Sequence, residues 1–576
     1  MNTFFIKVLA SAVCLVGVQQ LQAQQAEKKF SINGAARGLF YGDNLDQDVA
    51  VEDTITIPKL NSGHVMVDLG MNIRPVKNME IQAMVRVRND YGGFWGSGVT
   101  FDIRQMFIKG VIGNIVRYQL GDINYKMTRY TMWNYNQELS VGSPAVFSQQ
   151  FDLLNYDHFY NKDNSWRQQG GAAEFALVFK NVIDEMQFHA VTTRVKASDN
   201  SSTNDRLFSG INVQLIQSKY AQFGINYVSL YDVEGTSRNN SLYSNPVFTA
   251  TAALNYAFKD LSFSGDIELG NSKTTYKNND EAPEESGSFF DAGVKVAQKK
   301  YGLSLSGRAK RVEPEFNSPG AQTKRIDFSN YPVSFQRITN DQLLRNMSMI
   351  DLMRETSLYT MQLQAYLMDF NPNYDNITPY GDATPNRQGS SVAVEWQSTK
   401  IPVKLKAEQT MLSEVRGQGT TAVKNFGRTY FEGTYEKKEF LPNWKNRIAV
   451  SASYRMDKTT RPGTDFYRDV NLETNVLNAG LEIEVIKNLD VLFGIQSVEY
   501  SGFDFAARVD EYSNVFNFTE FEADGKESMV AGGLRYRFSD KSFLSAQWSK
   551  FDMNDYTQRT TSYSINQIML LYQMTF

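Results

Sequence analysis

Apolar and polar residues alternate along many stretches of this chain. From Val65 to Ile73 every odd position is apolar, whereas the even positions include Asp68 and Asn72. A short connector at residues 75–78 follows, and the alternation resumes over residues 79–88. A period of two residues is typical of β-strands whose two faces meet different environments. The pattern therefore predicts an antiparallel hairpin with strands of about ten residues.

The same unit recurs down the chain. The predicted strand pairs are 207–217 with 221–231, 248–258 with 261–270, 289–298 with 301–310, 477–486 with 489–500, and 529–538 with 542–551. The turns inside these pairs are short, such as Lys487-Asn488. The connectors between pairs, such as residues 271–288 and 501–528, are long and polar. Short turns on one side and long loops on the other predict a sheet with two different ends.

The length of the strands decides the fold class. Strands of soluble sandwiches and propellers average about five to six residues, whereas these run to about ten to twelve, the length that crosses a bilayer at a tilt. We therefore predict an all-β protein, a transmembrane antiparallel β-barrel formed by residues 24–576 as a single domain. We count about 22 strands, in a range of about 20 to 24, from residues 30–41 to residues 562–576.

This count treats residues 312–388 as one long loop. Within it, residues 359–367 alternate well enough to form a further strand, but residues 331–339 would be a poor partner for it. An even number of strands places both termini on the periplasmic side.

Composition agrees with a barrel and excludes other classes. The mean hydropathy is −0.41, and past the N-terminus no run of about 18 apolar residues predicts a membrane helix. A net charge of −4 argues against a nucleic-acid partner. The 30 Tyr and 38 Phe are many for so polar a chain. In a barrel they supply the lipid-facing surface and the aromatic girdles at its edges.

The first 23 residues have the pattern of a secretory signal peptide. Lys7 precedes an apolar stretch over residues 8–18, and the small residue Ala23 precedes a polar start, so we expect cleavage after Ala23. Cys14, the single cysteine, would be the acylated residue of a lipoprotein, but Val13 precedes it and the apolar run continues beyond it. After cleavage the net charge becomes −5, because the segment holds one Lys and no acid.

The C-terminal residues carry a more specific pattern. Apolar side chains alternate toward a terminal aromatic residue, at Ile568, Leu570, Tyr572, Met574 and Phe576. This resembles the last strand of Gram-negative outer-membrane β-barrel proteins. The resemblance implies export through the periplasm, insertion by the outer-membrane assembly machinery, and contact with outer-membrane lipid and lipopolysaccharide. The Ala-Gln start and the long Asn- and Tyr-rich loops resemble Bacteroidota proteins.

An empty barrel of about 22 strands would leave a wide hole in the membrane, so we expect a segment of the chain to narrow its lumen. The first strand begins about seven residues after the predicted cleavage site, which leaves no room for an N-terminal plug like that of a TonB-dependent transporter of 22 strands. One candidate is the loop 312–388, in which Asn340 is placed to cap a helix. The other is the aromatic-rich segment 125–167, which either folds inward or presents a platform for a protein partner. Its rings are Trp133, Tyr135, Phe147, Phe151, Tyr156, Phe159, Tyr160 and Trp166.

Alternation also assigns charged residues to the inner wall. The arginines on the predicted inner face, our candidates for lining a pore, are Arg74, Arg86, Arg88, Arg104, Arg117, Arg535 and Arg537. Such a ladder selects anionic solutes if its charges are uncompensated. Alternatively, it forms salt bridges that stiffen the wall. The mixed inner charges favour this second interpretation, with partners at Asp68, Glu80, Asp102, Glu482, Glu484 and Asp490.

Signals for catalysis or metal binding are weak. His64, His158 and His189 lie far apart with no zinc-site spacing. Ser97 lies in a Gly-rich stretch that is not a GxSxG elbow. Two acidic clusters, in the first loop and near residue 282, lack the spacing and the Gly of an EF-hand, so we expect solvated loops. They comprise Asp43, Asp46, Asp48 and Asp53, and Asp280, Glu281, Glu284 and Glu285. We expect no enzyme, no metal and no cofactor.

Two hypotheses about function follow from the sequence. The first is a porin-like channel for small polar solutes, because a large barrel with a polar inner face and no plug domain is suited to passage. The second is a structural subunit of an outer-membrane secretion or assembly complex, with a lumen closed by loops and with protein partners at the extracellular loops.

Overall fold

The computed structural model describes most of the predicted barrel. The described residues are 29–47, 59–91, 99–123, 125–133, 144–159, 168–180, 182–238, 240–277, 283–322, 367, 372–437, 446–464, 467–509, 515–557 and 562–576. The predicted signal peptide with Ala23 and Cys14, the residue Ser97, the helix at Asn340 and the strand-like stretches at 331–339 and 359–366 lie outside them.

Twenty-two antiparallel strands form one closed barrel, as predicted. The first eleven are β1 (Phe30–Gln47), β2 (Lys59–Ile73), β3 (Met79–Asp90), β4 (Val99–Ile112), β5 (Val116–Ile123), β6 (Gln168–Val178), β7 (Glu185–Lys196), β8 (Arg206–Ile216), β9 (Ala221–Asp232), β10 (Leu242–Phe258) and β11 (Leu261–Lys277). The others are β12 (Glu284–Gln298), β13 (Leu303–Val312), β14 (Arg387–Gln397), β15 (Val403–Ser413), β16 (Asn425–Lys437), β17 (Ile448–Arg461), β18 (Val470–Ile486), β19 (Leu489–Val509), β20 (Val515–Ser539), β21 (Ser542–Asp555) and β22 (Tyr563–Thr575). Each pairs with its neighbours in sequence, and β1 closes the ring by pairing with β22.

The two ends of the barrel differ as the sequence predicts. Connectors from even to odd strands are short, as between β18 and β19 at residues 487–488, and the start of β1 and the end of β22 lie on that side. Connectors from odd to even strands are long, such as residues 124–167 and 313–386. We refer to these as the short-turn end and the long-loop end.

Several residues that we expected in long loops belong to strands. β11 continues to Lys277, β19 to Val509, and β20 begins at Val515. Asp43 and Asp46, expected in the first loop, lie in β1. The sequence prediction stopped where the outward positions became polar. Beyond the membrane an outward side chain no longer needs to be apolar, whereas backbone pairing continues, so the strand outlasts its alternating pattern.

Outward side chains form an apolar belt. On β2 the outward residues Val65, Leu69 and Ile73 are 42–48% exposed, whereas the inward His64 and Asp68 are fully buried. The same alternation runs through β9, β18 and β22. A closed barrel with this belt satisfies its backbone groups internally and presents hydrocarbon to lipid, as a bilayer requires. The predicted architecture of a transmembrane antiparallel β-barrel is thus confirmed.

The C-terminal pattern lies on this belt. Ile568, Leu570 and Tyr572 point outward and are 37–54% exposed. The backbone of Phe576 exchanges two hydrogen bonds of 3.0 Å with Gly34 of β1. The terminal residue therefore takes part in closing the barrel. Met574 lies between Tyr572 and Phe576 in the alternating sequence and shares their face of the strand.

One helix, α1 (Ala145–Phe159), belongs to the long connector between β5 and β6. It packs against the inner faces of β18, β19 and β20. No helix in the described part of the chain is long and apolar enough to cross a membrane.

Candidate functional site

Three segments from the long-loop end pack inside the barrel, and we call them the loop cluster: residues 125–133, 313–322 and 372–386. Their apolar side chains meet inward residues of β8, β9, β10, β12 and β13 in one buried core. Phe208 near the start of β8 and Leu230 near the end of β9 both belong to it. Both positions lie toward the long-loop end, so the cluster narrows that half of the barrel.

Backbone and side-chain hydrogen bonds join the three segments. The N–H of Trp133 donates to the carbonyl oxygen of Gly320 at 2.8 Å, and the Ser318 hydroxyl donates to the carbonyl oxygen of Tyr130 at 2.7 Å. The Gln322 side-chain amide donates to the carbonyl oxygen of Ala383 at 2.9 Å. The loop cluster is therefore one packed body rather than three independent loops.

Aromatic stacking fixes the cluster to the wall. The ring of Tyr130 stacks on Phe289 of β12 with centroids 3.9 Å apart, and Phe316 packs edge-on against Phe289 at 4.9 Å. The Tyr130 hydroxyl donates to Oδ2 of Asp291 at 2.6 Å. Burial, together with the nearby Asp291 charge, raises the pKa of Tyr130 well above its ordinary value. The phenol therefore stays protonated and keeps donating.

A dense polar network holds residues 372–386. Arg387, at the start of β14, donates from Nε to the carbonyl oxygen of Ile377 at 2.8 Å and from Nη2 to that of Asn376 at 3.0 Å. The Asn376 amide donates to Asp504 of β19 at 2.8 Å. Asp375 forms an ion pair with Arg428 of β16, in which Oδ1 lies 3.0 Å from Nη2. All these groups are buried or nearly so, so the network satisfies polar atoms that water cannot reach.

The tips of two cluster segments meet in the lumen through a charge pair. Arg129 and Asp382 are both partly exposed, and their side chains approach to 3.5 Å. Lys310 of β13 lies 3.5 Å from the same carboxylate. Burial alone would raise the pKa of Asp382, but the positive charges of Lys310 and Arg129 outweigh it and the pKa is lowered. We call the position of Arg129 and Asp382, with the largely buried Lys310 beside them, the cluster edge.

Helix α1 covers a different part of the wall. Gly480 of β18 lies opposite Gly494 of β19, and a Cβ at Gly480 would lie 2.3 Å from Cβ of Pro144, just before the helix. The missing side chains thus make a notch for the start of the helix. Val146 and Phe147 are fully buried in it.

The C-terminal part of the helix is held by contacts of Tyr156 with two charged residues of the wall. The Tyr156 hydroxyl donates to Oδ2 of Asp68 at 2.7 Å, and its ring lies 3.9 Å from the guanidinium of Arg104. Between the two ends, Leu153 packs with Leu39 of β1 and Leu571 of β22. The helix therefore lies along the wall from β18 to β4 instead of crossing the lumen freely.

The seven arginines predicted to line a pore are all engaged in ion pairs. Asp68 binds Arg86 through two bonds of 2.8 Å and Arg104 at 3.0 Å. Their exposure differs widely, from 2% for Arg104 to 65% for Arg117. The remaining pairs are Arg74 with Glu80, Arg88 with Asp90, Arg117 with Glu174, Arg535 with Glu482 and Asp490, and Arg537 with Glu484 and Asp490. This arrangement agrees with a stiffened wall more than with an uncompensated ladder.

A β-bulge directs Arg104 inward. Met84 pairs with Gln105 and Val85 with Ile103, so Arg104 is an extra residue in β4. Such an insertion re-aims side chains and shifts the alternation by one residue. This explains why the outward residues of β4 change from Phe101 and Ile103 to Met106 and Ile112.

The wall of the short-turn half of the lumen is exposed on some strands and covered on others. Inward side chains there are well exposed on β5, β11 and β12, for example Arg117 at 65%, Asp266 at 53% and Lys295 at 46%. The opposite wall is covered, since Ser545 and Leu571 are fully buried. We call the space in front of the exposed wall, from β5 to β12, the vestibule.

Across the residues that the structure describes, no group of three or more His, Cys, Asp or Glu side chains could hold a metal ion. His64 accepts a hydrogen bond from Arg37 at 3.1 Å, and His189 lies 3.1 Å from Glu174 on the lumen wall. Arg129 and Asp382, the charges at the cluster edge, were not predicted from sequence. They lie in loops without periodicity, and only the fold brings them together.

Comparison with known proteins gives distant structural likenesses. No protein-family model matches the sequence, and no curated protein does. Similar solved structures include Pseudomonas aeruginosa OccK9 (OpdG), at 11% identity over 79% of this chain and 98% of that chain, with a TM-score of 0.39. A BenF-like porin from Pseudomonas fluorescens is 10% identical over 79% of this chain and 99% of that chain, with a TM-score of 0.37.

A third similar structure covers more of the sequence. Pseudomonas aeruginosa OpdQ is 8% identical over 95% of this chain and 98% of that chain, with a TM-score of 0.39. These likenesses are remote, and the closed 22-stranded barrel is established by its own strand register.

Proposed function

We propose that this protein is an outer-membrane, porin-like channel for the diffusion of small polar solutes. The observation that carries the proposal is the division of its lumen. A polar vestibule at the short-turn end leads to a narrower zone at the long-loop end, where the loop cluster and α1 pack on the wall. A rigid, charged constriction inside a closed barrel is the arrangement by which a wide pore becomes size-selective.

The charges at the cluster edge support selective passage. Arg129 and Asp382 are partly exposed, and the largely buried Lys310 adds a second positive charge beside them. Most of the seven predicted arginines, by contrast, neutralise carboxylates on the wall. Selectivity among ions therefore depends more on the cluster edge than on the arginine ladder.

The membrane and its lipids are the expected surroundings. The apolar belt fits the hydrocarbon layer, and the C-terminal strand has the features that the outer-membrane assembly machinery reads in the resembling proteins. Nothing in the described part of the chain favours the alternative of a structural subunit in a secretion or assembly complex.

Conductance tests the proposal. Pure, folded protein in a planar bilayer should give uniform steps of current, and liposomes that contain it should swell in isotonic solutions of small polar solutes. Folded protein that yields neither current nor swelling would refute the channel function.

A further inference from the structure

Three neighbouring strands of the vestibule wall carry charged residues only at the long-loop end, where Arg206 of β8 pairs with Asp232 of β9. Residues 208–216 of β8, 221–231 of β9 and 242–258 of β10 contain no Asp, Glu, Lys or Arg. Their inward side chains are amides and hydroxyls interspersed with small or apolar residues. The lumen wall elsewhere carries charges on most strands, so this uncharged sector stands apart from its surroundings.

The amides of the sector are bonded to one another from strand to strand. The side-chain N–H of Asn212 donates to Asn226 at 2.6 Å, and Asn226 donates to Thr249 at 2.9 Å. Two residues further along β8, toward the short-turn end, the side-chain amide of Gln214 donates to Gln222 at 3.2 Å. These bonds fix the amide planes, so the groups are already ordered before a solute arrives.

Part of this hydrogen-bonding capacity faces the vestibule. Asn212, Gln214 and Gln222 are half-buried, whereas Asn226 and Thr249 are fully buried. An amide has one carbonyl oxygen and two N–H groups. The bonds above use one N–H each of Asn212 and Gln214, so both keep an acceptor and a second donor for the lumen.

Such a surface matches a particular solute chemistry. A fixed amide offers a donor and an acceptor side by side, which is the complement of a hydroxyl group that donates and accepts at once. An ion gains little at an uncharged wall, because its charge meets no opposite charge to replace lost hydration. A neutral, hydroxyl-rich molecule loses little on leaving water if the wall supplies equivalent hydrogen bonds.

We propose that the inner wall of β8, β9 and β10 is a binding surface for uncharged, hydroxyl-rich solutes, namely saccharides or polyols. The proposal rests on the channel function proposed above and specifies its substrate class. Thr128 of the loop cluster and Thr249 of the sector both bond to Glu268 of β11. The sector therefore begins directly beside the cluster edge, where a solute passes the constriction.

Current blockade in a planar bilayer tests the inference. The probe is a linear neutral hexasaccharide of glucose, compared with a hexasaccharide of galacturonate, which has a similar size and carries negative charges. We expect the neutral probe to interrupt the wild-type current at a lower concentration than the charged one.

A double variant locates the effect. Gln214→Ala with Gln222→Ala should raise the half-blocking concentration of the neutral probe about five- to ten-fold, with little change in open-channel conductance. The matched control is Gln82→Ala with Gln105→Ala, which removes two half-buried amides from the inner faces of β3 and β4. It should leave the blockade near the wild-type value.

The outcomes separate the two proposals. A wild-type channel that conducts but is blocked equally by both probes, or more strongly by the charged one, overturns the inference and leaves the channel function intact. Equal losses of blockade in both double variants would also overturn it. Folded protein without any conductance would refute the channel function, and the solute class with it.

Discussion

Helix α1 and residues 372–386 both lie against the inside of the barrel, but different forces hold them there. The start of the helix sits in a notch made by Gly480 and Gly494, where packing leaves no space for a side chain. Residues 372–386 are held by buried ion pairs and hydrogen bonds, among them three donated by Arg387. One segment is thus fixed mainly by shape and the other mainly by polar bonds.

This difference teaches how a barrel wall can hold an inner segment. Apolar packing of complementary shapes does not require a polar group to leave water. The stability of such a contact falls gradually as volume is added. A buried polar network is cooperative, and removing one member leaves its partners unsatisfied. We therefore expect the segment at 372–386 to respond far more sharply to a single substitution than α1 does.

The largest effect is expected from Arg387→Met. It leaves the carbonyl oxygens of Asn376 and Ile377 without their donor and removes a positive charge near buried carboxylates, at a cost of about 3–5 kcal/mol. The readout is maleimide labelling of a cysteine introduced by Ala383→Cys, a fully buried site. Labelling should accelerate by roughly two to four orders of magnitude.

Native cysteines should add little background labelling, because Cys14 in the predicted signal peptide is the single cysteine of the chain. The control is Arg416→Met, which removes an exposed arginine paired with Glu315. If both variants label at the wild-type rate, the polar network does not hold the segment.

A smaller effect is expected from Gly480→Ala. The added Cβ overlaps Pro144 and pushes the start of α1 off the wall, which costs about 1–3 kcal/mol. A cysteine introduced by Val146→Cys should label faster, but by less than in the Arg387 experiment. Gly427→Ala is the matched control, because a Cβ there meets no atom within 4 Å. Equal labelling in both glycine variants would contradict the notch.

A still smaller effect on stability, but a visible one on selectivity, is expected from Asp382→Asn. The pair with Arg129 is partly exposed and is worth less than about 1 kcal/mol. Its loss leaves two positive charges at the cluster edge, so the ratio of anion to cation permeability should rise about two- to five-fold. Reversal potentials in a salt gradient measure this ratio. Asp540→Asn, in the turn between β20 and β21, should leave it unchanged.

The smallest effect is expected from pH. The folded pKa of Asp382 lies below its ordinary value, so the pair with Arg129 is fully formed above that ordinary value and is lost only as pH falls through the lowered folded pKa. The contribution of the Arg129–Asp382 pair to ion selectivity should therefore stay constant between about pH 5 and pH 8. A change in reversal potential within that window would show that another group sets the selectivity.

The sequence predicts the barrel well, because the lipid imposes a period of two residues on every crossing. It correctly places Asp68 and Arg86 on one face, where they form an ion pair. It cannot predict the notch, since Gly480 and Gly494 are ordinary strand residues until the register sets them side by side. Nor can it predict the contact of Tyr374 with Glu527, because 153 residues separate them and no periodicity links them.

Single-channel conductance of the wild-type protein, compared with that of Arg387→Met and Gly480→Ala, measures whether segments packed inside the polar barrel narrow a channel. We expect uniform, modest steps for the wild type and larger steps when either segment is released, more so for Arg387→Met. Folded protein that carries no current in any of the three forms would contradict this expectation.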